Sequence, residues 1–110
     1  MKYLLFILLL APLVASAGDW STATKVNAIY TGYKGGMILF STVEPHHNPN
    51  SACNSGLYSV KQDTAEVNHI LSVLLTAQRS DASIRVGVNS KACSSDGNKY
   101  IAVTRVHILK

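Results

Sequence analysis

The chain predicts a mainly β domain, five short strands with one helix between the third and the fourth. Three observations carry this reading. Short runs rich in β-branched and aromatic residues recur between turn signals. Only residues 63–79 place apolar side chains at a helical period. At 110 residues there is room for one domain.

The first residues are read apart from that domain. Lys2 gives a short positive start, residues 3–14 are almost wholly apolar, and Ala15-Ser16-Ala17 is a small-x-small cleavage signal. The apolar run is too short for a spanning helix, which needs about 20 residues. Residues 1–17 are therefore expected to be a bacterial export signal, and residues 18–110 a single domain. Removing 17 residues from 110 leaves 93, and the loss of Lys2 takes the formal charge from +4 to +3.

Residues 18–24 are small and polar around Trp20 and form a lead-in. Residues 25–31, with Val26, Ala28, Ile29 and Tyr30, form the first strand, and residues 32–36 a glycine-rich turn. Residues 37–43 return as a second strand, making a hairpin. Residues 44–56 hold Pro45, Pro49, three Asn and Cys53, and read as an irregular loop. A third strand follows over 57–61. In 63–79, Val67, Ile70, Leu71, Leu74 and Leu75 share one helix face, with Asp63 as N-cap and Glu66 completing a capping box. Residues 83–89 alternate, Ile84, Val86 and Val88 against Arg85, Gly87 and Asn89, and Gly87 marks a bend or bulge. Residues 91–98 form a loop around Cys93. In the last strand, 100–109, the apolar phase slips between Val103 and Val106, which asks for a bulge near Thr104-Arg105.

The resulting order, β-β-β-α-β-β, is that of a five-stranded OB-like barrel with one helix. The alternative is an α+β sheet with one packed helix. The two cysteines, Cys53 and Cys93, are 40 residues apart with no C-x-x-C, which argues against a metal or redox pair. In an exported chain they are expected to form one internal disulfide, with a bridge between two chains as the alternative. Closing that loop stabilises by about 4 kcal/mol in the chain-entropy account.

Charged residues make up only 15% of the chain, which excludes a polybasic nucleic-acid arm. Export and the lack of a basic stripe on residues 37–43 speak against nucleic acid as partner. No catalytic, metal or cofactor motif is present. His46 and His47 are adjacent and point apart, and Gly32 to Gly36 lack the phosphate-loop pattern. A small hydrolase would need His46, His69 or His107 to converge with other polar groups in one pocket. The aromatic residues are the better candidates for binding: Tyr30, Tyr33 and Tyr58, with Trp20 and Tyr100, can stack on sugars or bases.

The hairpin around residues 32–36, the Asn-Pro loop leading to Cys53, the leucine-rich helix 67–77, the Ile-Arg-Val-Gly-Val strand 84–88 and Cys93 before the last strand form a recognisable set. In these features the chain resembles small exported bacterial proteins, most of unassigned role, related in architecture to the B subunits of subtilase-cytotoxin and pertussis-like toxins. The resemblance implies an OB barrel, ring-forming homo-oligomers and binding of cell-surface glycans. It transfers no contact residue. The expectation is a periplasmic or secreted binding protein without enzymatic activity, cofactor or stable membrane anchor. Its partner is a glycan or, alternatively, an envelope or secreted protein that meets the loop 44–56.

Overall fold

In the computed structural model the chain is described over residues 19–44 and 46–109. The expected export signal, residues 1–17, lies outside them. Five strands and one helix follow the predicted order: β1 (Val26–Tyr30), β2 (Ile38–Thr42), β3 (Asn54–Val60), α1 (Val67–Ser80), β4 (Ile84–Cys93) and β5 (Tyr100–Ile108). They form one sheet in the order β1-β2-β3-β5-β4. All neighbours are antiparallel except β3 and β5, which run parallel because α1 and β4 intervene in the chain.

The protein is therefore mostly β with one packed helix, and the sheet is not closed into a barrel. This corrects the expectation of a five-stranded barrel and fits the alternative of an α+β sheet with one packed helix. No ladder joins β1 to β4. Instead the lead-in before β1 touches the outer edge of β4 at two isolated bridges, Trp20 to Gly87 and Thr24 to Ile84. The lead-in was expected only to be polar; it covers part of an edge that would otherwise expose unpaired backbone groups.

The core lies between the sheet and α1. Phe40, Tyr58, Val60, Leu74, Ile84, Val86, Ile101 and Val103 are each fully buried. On β4 the predicted alternation holds at its start: Ile84 and Val86 face inward while Arg85 is exposed. The phase slip in β5 is resolved as expected. Gly87 pairs with Arg105 and Val88 with Val103, so Thr104 is the extra residue of a bulge.

Three boundaries differ from the expectation. α1 begins at Val67, not Asp63, and Glu66 occupies its N-cap without a side-chain cap bond. Asp63 instead accepts a hydrogen bond from Ser95 Oγ at 3.2 Å, and the Lys61 carbonyl accepts from Thr64 N and Ala65 N in a turn. β3 starts at Asn54 and β4 runs on to Cys93, both reaching into stretches read as loops. On α1 the buried stripe is Val67, Ile70, Leu74 and Ala77, while Leu75 is 45% exposed. Leu75 lies about 120° around the helix from the centre of that stripe. The helix stops at Asp81, whose left-handed backbone turns the chain.

Cys53 and Cys93 form the internal disulfide, with Cα atoms 5.4 Å apart. It ties the loop before β3 to the end of β4 and leaves no free cysteine among the described residues. A disulfide of this kind belongs to an oxidising compartment. Among the described residues no helix is long and apolar enough to cross a membrane.

Candidate functional site

A cleft of about 310 Å³ opens where the lead-in meets the loop after β2. One wall is Trp20, Ser21, Thr22 and Thr24; the other is Glu44, His46 and His47. Its first wall is pinned to β4. Ser21 N donates to the Val86 carbonyl at 2.8 Å, and Ser21 Oγ accepts from Val86 N at 2.9 Å. Arg85 Nε donates to the Ser21 carbonyl at 3.1 Å. Thr24 and Ile84 exchange backbone hydrogen bonds of 2.9 and 2.7 Å. Thr24 Oγ1 then accepts from Glu44 N at 3.0 Å, which joins the two walls.

Trp20 rests on β4 because position 87 is glycine. A Cβ there would lie 3.1 Å from Cη2 and Cζ3 of the indole. From β5, the His107 ring approaches with centroids 4.2 Å apart, and the Arg105 guanidinium sits 5.1 Å from the indole centroid. The sequence pattern marked Gly87 as a bend. It gave no sign that the missing side chain makes room for an indole 67 residues earlier.

The second wall is built on aromatic stacking. His46 stacks on Tyr58 with centroids 4.1 Å apart and planes 15° apart, and Tyr58 stacks on Phe40 at 5.0 Å. His46 Nε2–H donates to the Leu57 carbonyl at 2.8 Å, and His47 N–H donates to the Tyr58 hydroxyl at 2.8 Å. Burial lowers the His46 pKa from the usual imidazole value; the Leu57 carbonyl opposes that and the neighbouring His47 adds to it. His46 is thus held neutral with Nε2 protonated, and its buried Nδ1 has no hydrogen-bond partner among the described residues. Burial likewise raises the Tyr58 pKa. The Glu44 carboxylate is exposed and makes no ion pair among the described residues.

The structure separates the three tyrosines singled out in the sequence. Tyr58 is fully buried in the core, so its ring offers no surface to a ligand. Tyr30 and Tyr33 are 45% and 43% exposed and flank the turn between β1 and β2. Neither lines the cleft. The three histidines named for a hydrolase do not meet in one pocket. His46 lines the cleft, whereas His69 and His107 line a groove between α1 and β5. No group of three or more metal-ligating side chains is present among the described residues.

Chemically, the cleft is lined by Trp20, Thr22, the exposed Glu44, His46 and His47. Mixed acceptors and donors beside an aromatic residue suit a polyhydroxylated ligand, whose edges carry hydroxyls. No family model, curated protein or solved structure matches the chain, so no comparison identifies a family for it.

Proposed function

We propose that the protein is an exported, non-enzymatic binding module that holds a glycan in the cleft beside Trp20. The observation that carries this reading is the convergence of the half-buried indole with Glu44, Thr22 and His47 in one cleft of about 310 Å³. The disulfide and the apolar N-terminal segment support export to the periplasm or beyond. An OB-like architecture, left partly open, is supported by the element order and by the lead-in bridging the free edge of β4. The turn between β1 and β2, with Tyr30 and Tyr33, is a second place where such modules contact saccharides. A ring of several copies would raise the avidity of weak single sites.

Trp20 is the only tryptophan of the chain, so its fluorescence reports directly on the cleft. The test is a glycan array on residues 18–110, followed by fluorescence titration of the best hits. Saturable change in the emission, lost in Glu44→Gln, supports the reading. An array without hits, together with a monomeric mass by light scattering, overturns it and turns attention to protein partners.

A further inference from the structure

The wall of the cleft after β2 is anchored at both ends and rests on β3 in its middle. At its start, Glu44 N donates to Thr24 Oγ1 at 3.0 Å, and Thr42 Oγ1 donates to the Glu44 carbonyl at 3.1 Å. At its far end, Asn48 Nδ2 donates to the Cys53 carbonyl at 2.9 Å, and the disulfide fixes Cys53 to the end of β4. Between them, His46 Nε2 donates to the Leu57 carbonyl and His47 N to the Tyr58 hydroxyl, both at 2.8 Å. A carbonyl oxygen only accepts, so the bond to Leu57 keeps the His46 proton on Nε2. A second proton has to go to Nδ1, which is buried and has no acceptor among the described residues. A buried N–H without an acceptor is costly, and a buried charge more so.

The groups around the ring do not offset that cost. Tyr58 beneath it is neutral, and its hydroxyl already accepts from His47 N. Its ring face attracts a cation, but burial outweighs this and lowers the His46 pKa. His47 opposes a second positive charge beside its own. Glu44 is exposed and forms no ion pair with His46 among the described residues. Across the cleft, Ser21 and Thr24 bring hydroxyls, and Arg105 and His107 contact Trp20 and supply no anion.

We infer that His46 is an acid-released latch: its protonation frees the wall of residues 46–48 from β3 while the sheet stays folded, and the cleft opens. In the open state the imidazole is in water and takes up a proton near its ordinary value of about 6.5. In the closed state that proton is held off. Acid therefore favours the open state, increasingly as pH falls below that value. The opening is local, because the disulfide retains Cys53 and β3 is paired on both sides, with β2 and with β5. His47 lines the cleft beside His46 and leaves with it. The latch belongs to the chain alone; its consequence for a glycan, release on acidification, rests on the proposed binding site.

The test is amide hydrogen exchange followed by NMR on the disulfide-bonded chain of residues 18–110, without ligand, at pH 7.5 and pH 5. Protection is corrected for the intrinsic exchange rate at each pH. Protection of the His47 amide, which donates to Tyr58, should fall about tenfold or more at pH 5. The amides of Ile101 and Val103, in the buried part of β5, should keep theirs. His46→Phe, which keeps the stack and cannot take up a proton, should show the same His47 protection at both pH values. Should that variant fail to fold, the ring resonances of His46 in the parent chain decide, and they should titrate below about 6.5. Equal protection of His47 at both pH values in the parent overturns the inference. So does an equal acid loss in His46→Phe, or a His46 ring that titrates at or above about 6.5. Loss of protection in β5 together with His47 also overturns it, since the chain would then be unfolding as a whole. None of these readings involves a sugar, so the glycan site stands or falls separately, on its own array and titration.

Discussion

His46 shows how one side chain can link the stability of a loop to pH. Its ring is stacked on Tyr58 and its Nε2–H is committed to the Leu57 carbonyl. A second proton would have to sit on the buried Nδ1, which has no acceptor among the described residues. Because burial lowers its pKa in the folded chain, the unfolded chain takes up that proton first. The contribution to stability is complete above the ordinary imidazole value of about 6.5 and falls as pH drops below it. Urea midpoints at pH 7.5 and pH 5 should therefore differ, and His46→Phe, which keeps the stack, should flatten the difference. A pH response unchanged in that variant would assign it to other groups. Gly87 makes the complementary point. In Gly87→Ala a methyl group would meet the indole at 3.1 Å, and the indole must yield by a few tenths of an ångström to admit it. A shifted Trp20 emission maximum in the folded variant would register the displacement.

At the scale of elements, the helix separates burial from hydrophobicity. Leu74 is fully buried and Leu75 is 45% exposed, though both belong to the same apolar run. Leu74→Ala should cost about 2–5 kcal/mol in chemical denaturation, whereas Leu75→Ala should stay within about 0.5 kcal/mol. The periodicity announced the helix and most of its face, and the phase slip in β5 announced its bulge. The helix start was not legible, because Asp63 has two uses open to it. It can cap a helix, or it can accept from Ser95, 32 residues away, as it does here. The reach of β3 and β4 into apparent loops was hidden for a similar reason. Asn54, Ser55, Lys91 and Ala92 are exposed, so no apolar alternation marks them as strand.

For the whole molecule, the disulfide is the contact of longest reach that the sequence disclosed, since two cysteines allow one internal pairing. Cys53→Ser with Cys93→Ser should lower stability by about 4 kcal/mol, less whatever order the unfolded chain retains. The check is the shift in denaturation midpoint, compared with that of the reduced parent chain. The number and order of the elements follow from the sequence patterns, whereas the parallel pairing of β3 with β5 is set by contacts that no local pattern marks. The cleft is likewise unmarked. Its walls are drawn from residues 20–24 and 44–47, which carry no shared motif, and it exists only because β4 supplies a seat for both Trp20 and Ser21. The aromatic residues chosen from the sequence were ranked by type. Type could not tell that Tyr58 would be sealed in the core while Trp20 stayed half-buried at a rim.

The bond from Val86 N to Ser21 Oγ spans 65 positions of the chain. One wall of the cleft is therefore far, along the chain, from the strand on which it is seated. Residues 19–24 reach their partners on β4 only when a contact of that separation closes, and such contacts form slowly. The cleft is thus completed late in folding rather than along the way. A fragment ending before Val86 lacks the seat for Trp20 and Ser21 altogether.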